Sequence, residues 1–283
     1  MPTNIREFHR APTSARVLEL LQRTETPSTV LMIGPRLPDL PFAQMEAAVD
    51  LQAIGMNTIA VEGAAIRIGA LATLQSVVES APLATVADGI VAHAAALAAH
   101  FGLRNLATVA GAIDGATDDP PGPPEVLLAL LALGATATVL GQPETTLALA
   151  DYQPTAQTLL SEIMIDQATP WHGALARVAR SPLDQAIVTA VAAVSAATAR
   201  VAVAGASATP IVVEAIPGIN TAQTVADLVA AVAARTAPTG DYRGSVEYRH
   251  AMAEVLARRA LIQAFAQSSM SSLQSHLPQE IGD

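Results

Sequence analysis

The stretch from Phe101 to Leu133, FGLRNLATVAGAIDGATDDPPGPPEVLLALLAL, constrains the chain most. A polar pivot, Arg104-Asn105, leads into a strand-like LATV and then a run of small residues from Ala110 to Ala116. Two acids, Asp118 and Asp119, follow, and prolines introduce an apolar helix from Glu125 to Leu133. A Gly/Ala turn after a strand lets a bulky ligand approach the backbone, because few Cβ atoms stand in the way. Exposed N–H groups in such a turn can bind phosphate oxygens. The competing reading is a tight loop in an alanine-rich protein.

The rest of the chain alternates short strands with helices. Ser14–Thr24 reads as a first helix, capped by Thr13 or Ser14 and ended by Pro27. Thr29–Ile33 is a buried strand, and Gly34-Pro35-Arg36-Leu37 begins the loop at its C-terminal end, where ligands sit in open α/β sheets. Thr58–Val61 and Ala65–Ile68 form a hairpin. Thr73–Ser80 and Val86–His100 have helical periodicity, whereas Ala135–Leu140 and Leu159–Ile165 lean to strand. A composition shift at 166–172, around Pro170 and the sole Trp171, marks a domain boundary. Three strands are expected beyond it: Ala174–Val178, Ala186–Val194, and Arg200–Gly205 extending through Ile211–Val213. Helices over Thr221–Arg235 and Ser245–Gln267 come last. The fold class expected is therefore α/β followed by α+β.

Length and composition set limits. At 283 residues there is room for two domains. The chain is 51% hydrophobic with mean hydropathy +0.40, yet no run of about eighteen apolar residues lacks a breaker or a charge. No membrane span is expected, and polar residues 1–10 show no leader. All fifteen cations are arginine, none forms a stripe, and the net charge is −10, which disfavours nucleic acid. Without cysteine the chain has no disulfides, no thiolate nucleophile and no cysteine-held zinc or iron–sulfur cluster. That fits a cytoplasmic protein. His93 and His100 fall seven apart on one expected helix, but no histidine pair has metal-ligand spacing, so no metal is expected. No G-x-G-x-x-G occurs.

The Arg104-Asn105-Leu106-Ala107-Thr108-Val109-Ala110-Gly111 pattern resembles the second flavin-binding loop of the FAD-binding (medium) subunits of molybdenum hydroxylases, the family of the carbon monoxide dehydrogenase medium subunit and the xanthine dehydrogenase flavin domain. The likeness recurs in order at Ile68–Thr73 (IGALAT) and at Asp241–Arg249 (DYRGSVEYR), and more weakly at Pro12–Ser14. It implies a two-lobed FAD-binding domain over 1–166, with sub-lobes of about 1–57 and 58–166. A C-terminal domain over 167–283, with an antiparallel sheet and helices, would follow. FAD would lie between two loops. The first is Ile33, Gly34, Pro35, Arg36 and Leu37; the second is Thr108, Ala110, Gly111 and Ala112, with Asp118 or Asp119 near the adenosine. The chain departs from the family in both loops. Pro35 and Arg36 replace residues of an Ala-Gly-Gly-Thr-type turn, and Ala110 and Ala112 stand where the family has Gly and Asn. The resemblance implies no catalytic residue in this chain. It implies an electron-transfer flavoprotein with an iron–sulfur subunit and a large molybdopterin subunit as partners, homo-oligomers being possible. The alternatives are a flavin-free structural paralogue with the same fold and partner surface, and an unrelated small-molecule binder.

Overall fold

A computed structural model describes residues 5–31, 46–114, 124–181, 184–218 and 220–274. The first lobe is a parallel three-stranded sheet, ordered β1 (Glu7–Arg10), β3 (Ala47–Asp50) and β2 (Ser28–Val30). Its helix α1 (Ser14–Leu21) starts where Thr13 accepts the Arg16 N–H. Val17, Leu20 and Leu21, at helical spacing, pack with Val49 and Leu51. β1 was not legible in the sequence, since an edge strand reading Glu-Phe-His-Arg has no apolar face to announce it.

The second sheet is antiparallel throughout: β4 (Ile59–Glu62), β5 (Ala65–Gly69), β8 (Leu159–Asp166), β6 (Thr136–Leu140) and β7 (Thr145–Ala148). Six helices cluster with it: α2 (Leu74–Glu79), α3 (Ala81–Thr85), α4 (Ile90–Ala98), α5 (Phe101–Arg104), α6 (Val109–Asp114) and α7 (Glu125–Ala132). The helix expected over Val86–His100 does not begin until Ile90. Ala87, Asp88 and Gly89 take φ of 49°, 56° and 74°, three left-handed residues in succession. By length and composition Ala81–Ala98 could cross a membrane, but this turn divides it into two short helices packed into the core. His100 is outside α4 and caps α5, its Nδ1 accepting the Leu103 N–H.

The third sheet is the antiparallel meander β12 (Ile211–Ala215), β11 (Ala199–Ala204), β10 (Ala186–Val194) and β9 (His172–Ala179), followed by α8 (Thr221–Ala233) and α9 (Val246–Gln274). The single run expected from Arg200 to Val213 is two strands, because Gly205 turns the chain at φ +89°. Every residue of β10 is buried. Val188, Ala190, Ala192 and Val194 face the cluster built with α8 and α9. Val191 and Ala193 face the cluster that contains α7. A sheet covered on both faces reads as a continuous apolar run, which is why this strand was legible without alternation.

Polar contacts join this sheet to the helices before it. Arg200 donates to the Ala132 carbonyl at 3.2 Å, pairs with Glu214 and lies over the Trp171 ring. The Asp88 carboxylate, presented by the left-handed turn, accepts the Gly173 N–H at 3.2 Å and pairs with His172 at the same distance. The Gln267 amide on α9, with its nitrogen turned toward them, reaches Gly173 O and Asp88. Aspartate tolerates left-handed φ better than alanine. Asp88→Ala removes the acceptor and leaves the Gly173 N–H unpaired, so it is expected to cost about 2 kcal/mol. Asp88→Asn, which retains an oxygen acceptor, is expected to cost less than half of that. Urea unfolding of both variants checks the order, and equal losses would contradict it.

Candidate functional site

Thr108, Ala110, Gly111 and Ala112 are described and lie together. Ile33, Gly34, Pro35, Arg36, Leu37, Asp118 and Asp119 lie outside the described residues. The expected strand over LATV and the expected turn of small residues are both corrected. Thr108 makes a single antiparallel bridge, to Thr73, and the chain then enters α6. Thr108 starts that helix: its hydroxyl accepts the Gly111 N–H at 3.0 Å and its carbonyl the Ala112 N–H at 2.9 Å. The small residues that suggested an open turn instead allow α6 to bury itself, with every residue from Val109 to Ile113 buried.

Folding also joins two segments that the sequence shows only as separate motifs. The IGALAT stretch leaves β5 and runs alongside Ala107–Ala110. Leu74 N–H donates to Ala107 O at 2.9 Å, Val109 N–H to Ala72 O at 2.9 Å and Ala110 N–H to Ala70 O at 2.8 Å. Thr73 and Thr108, paired across the bridge, each cap the helix that follows, α2 and α6 respectively. The pivot before them is structural. Arg104 donates to Ala96 O at 3.0 Å and Ala99 O at 2.8 Å, closing the C-terminal end of α4, and its Nε donates to Gln75. The Asn105 amide returns to Phe101 O.

This geometry decides what the described half of the site offers to a pyrophosphate. Each backbone N–H from Val109 to Ala112 already donates within the chain. A phosphate oxygen here would have to displace one of those bonds or bind through groups outside the described residues. Bonded in this way, the N–H groups from Val109 to Ala112 do not form an open nest.

A pair the sequence did not signal lies at the far end of α6. Tyr152 donates its hydroxyl to Asp114 Oδ1 at 3.1 Å, across 38 positions of chain. Tyr152 and Ile113 line a cavity of about 290 Å³ with Leu127, Leu131 and Pro210. Burial pushes the Asp114 carboxyl up to about 6, against the opposing hydrogen bond from Tyr152. The unfolded chain therefore loses this proton first, near pH 4, and between about pH 4 and 6 the folded state binds more protons. Stability is expected to fall as pH rises through that window and to level off above it. Asp114→Asn keeps an acceptor for Tyr152 and removes the penalty. At pH 7.5 it is expected to gain about 2–3 kcal/mol, from two pH units at about 1.4 kcal/mol each. A variant whose denaturation midpoint tracks the wild type from pH 4 to 7.5 would refute this.

Asp241–Arg249 organises the C-terminal sheet. Asp241 accepts from Arg243 and Arg249 at 2.8 Å each and from the N–H groups of Arg243 and Gly244. Burial opposes its charge, but the bonds from Arg249, Arg243 and the backbone outweigh burial and hold the carboxyl well below the usual range. Ser245 accepts the Tyr248 N–H at the start of α9. Among the described residues, no group of three or more His, Asp or Glu is placed to hold a metal ion.

A family model described as "FAD binding domain in molybdopterin dehydrogenase" matches residues 4–167. Among solved structures, the chain is similar to carbon monoxide dehydrogenase from Hydrogenophaga pseudoflava lacking the Mo-pyranopterin moiety of the molybdenum cofactor. The TM-score is 0.83 at 23% identity, over 94% of this chain and 99% of that one. A cyanide-inactivated Cu,Mo-CO dehydrogenase matches with TM-score 0.78 at 26% identity, over 94% and 99%. Quinoline 2-oxidoreductase from Pseudomonas putida 86 matches with TM-score 0.78 at 20% identity, over 95% and 100%. No curated protein matches the chain.

Proposed function

Because the chain belongs to the family of FAD binding domains in molybdopterin dehydrogenase, we propose that it is the FAD-binding electron-transfer subunit of a molybdenum hydroxylase-like oxidoreductase. The observation that carries this reading is the family match itself, whose bounds, residues 4–167, enclose both loop segments. FAD would be held by Ile33, Gly34, Pro35, Arg36 and Leu37 on one side and by Thr108, Ala110, Gly111 and Ala112 on the other, with Asp118 and Asp119 near its adenosine. When bound, flavin supplies the redox chemistry. The chain's part is positional: Thr108 fixes the start of α6, and Arg36 offers a guanidinium that suits a pyrophosphate. We take 1–166, with sub-lobes of about 1–57 and 58–166, as the flavin unit, and 167–283 as the unit that buttresses it.

A chain without cysteine holds no thiolate-bound cluster. Electrons must then reach the flavin from a cysteine-rich iron–sulfur protein, with substrate oxidised in a large molybdopterin protein, in a cytoplasmic assembly. The second reading, a flavin-free paralogue in the same assembly, is favoured by one observation: the N–H groups of Val109 to Ala112 are already engaged. The two separate on FAD content. The purified chain is expected to carry FAD below one equivalent and to take up more on titration, followed by flavin fluorescence. A chain that takes up none at millimolar FAD is the paralogue. Affinity purification from the native source at low salt is expected to recover both partners, and recovery of the chain alone would remove the hydroxylase reading.

A further inference from the structure

A recess of about 290 Å³ lies where residues of both units meet, apart from the loops assigned to FAD. Ile113, at the end of α6, and Leu127 and Leu131, one turn apart on α7, line it from the first unit. Pro210 and Val212, before and on β12, line it from the second. Ile113, Leu127 and Leu131 are buried, so the floor is apolar. The Tyr152 hydroxyl beside them already donates to Asp114. Gln153 and Thr209 are exposed and form the mouth, with the small residues Ala150 and Ala208. No arginine, aspartate, glutamate or histidine lines the recess, nor do Thr108, Ala110, Gly111 and Ala112. A concave, mostly apolar recess with a few polar groups, set between two units, has the form of a small-molecule site. Water gains little from such walls: an apolar cavity of about 150 Å³ stays dry and admits benzene.

We propose that this recess binds a neutral, largely apolar small molecule about the size of two fused rings, with its polar substituent held at the mouth by Gln153 and Thr209. The inference does not rest on the flavin reading. Size follows from the volume, about twice that of a cavity that admits benzene. Charge follows from the walls. A carboxylate would lose its water and meet no cation, with the Asp114 carboxyl behind Tyr152. An ammonium group would be as badly placed, because no carboxylate lines the recess. A neutral ring compound has no charge to desolvate and gains apolar contact with Ile113, Leu127 and Leu131. The mouth sets its direction. The Gln153 amide and the Thr209 hydroxyl can each donate and accept, so a hydroxyl or carbonyl substituent is satisfied there while the rings are buried. Because the walls come from both units, the bound compound touches both and stabilises the folded chain as a whole.

The test uses the full-length chain and 2-naphthol, a neutral two-ring compound with one hydroxyl, titrated by calorimetry at neutral pH with and without saturating FAD. Saturable binding of one equivalent is expected, with the same Kd whether or not FAD is present, together with a higher Tm. The charged analogues 2-naphthoate and 1-naphthylmethylammonium are each expected to bind about 10-fold more weakly or worse. Ala208→Trp and Ala150→Trp, which crowd the mouth from the second and the first unit, are each expected to weaken 2-naphthol about 10-fold or more. Both positions are exposed, so the ligand-free Tm is expected to stay at the wild-type value. Ala251→Trp, at an exposed position of α9, serves as the control and is expected to bind as wild type. Binding that does not saturate overturns the proposal. Equal binding of the charged analogues overturns the ligand class, and binding that survives both mouth variants overturns the location. Displacement of 2-naphthol by FAD assigns the recess to the cofactor and overturns a separate ligand, while the flavin reading stands. A chain that binds 2-naphthol as expected but takes up no FAD removes the flavin reading alone.

Discussion

Arg249→Ala is expected to cost the fold about 3–5 kcal/mol, the range seen when one partner of a buried ion pair is removed. Arg249 is 5% exposed and ties together β10, the turn after β11 and the loop before α9. Its Nη1 donates to Ile187 O at 2.8 Å and Gly205 O at 3.0 Å, and its Nη2 pairs with Asp241. The alanine variant leaves those carbonyls and part of the Asp241 charge without donors. It also releases the turn at Gly205, where the chain sits at φ +89° and an added Cβ would fall 2.1 Å from Ile187 O. Arg249→Lys keeps a charge but not the planar fork and is expected to recover less than half of the loss. Urea denaturation reads this as a drop in midpoint at unchanged slope. A loss under about 1 kcal/mol would contradict the account. The pH dependence gives a second reading. The Asp241 carboxyl is depressed in the folded state, so its contribution is present above the ordinary carboxylate range and is lost as pH falls below it. The alanine variant is expected to show a shallower acid limb than wild type.

The combined Pro35→Gly, Ala110→Gly and Ala112→Asn variant is expected to bind FAD about 10²- to 10⁴-fold more tightly than wild type. Two new hydrogen bonds to a charged group contribute about 1.5–3 kcal/mol each, and about 1.4 kcal/mol is a factor of ten. Proline has no N–H, so Pro35→Gly restores one donor. Asn at 112 supplies an amide. Ala110→Gly contributes closer approach but no donor, because its N–H is held by Ala70 O at 2.8 Å. Ala112 is 3% exposed, so its amide must reach the ligand or go unpaired, and unpaired it would cost about 1–3 kcal/mol of stability. Calorimetric titration with FAD, alongside thermal unfolding, separates the outcomes. Tighter binding supports the altered flavin site. Unchanged binding with a lower Tm shows that residue 112 does not face the cofactor. Tight binding by the wild type shows that Arg36 or another group compensates.

The elements that were legible in the sequence have strong local causes. β10 was read at its observed limits because nine apolar or small residues stand between polar turns. The β4–β5 hairpin was read because Glu62-Gly63-Ala64 breaks two β-branched runs. What was not legible depends on the rest of the fold. Ala87 and Asp88 are left-handed because Asp88 has partners in β9. α6 looked like a turn, since Ala and Gly are as suited to close helix packing as to an open loop. At the candidate site Thr108 and Gly111 were legible as a motif. Their pairing with Ala70–Thr73 was not, because it is set by backbone hydrogen bonds that carry no side-chain signature. Asp114 and Tyr152 were missed because neither belongs to a recurring pattern.

The two buried faces of β10 also bear on how such chains can recombine. Even-numbered residues 188–194 meet helices encoded after the strand, and Val191 and Ala193 meet helices encoded before it. A crossover that joins the first 166 residues of one relative to the remainder of another would put α7 of one parent against β10 and β11 of the other. Such chimaeras are expected to survive only when the small residues that let the layers meet, Ala193, Ala202 and Ala204 on the sheet and Ala129 and Ala132 on α7, are inherited from one parent or matched in size.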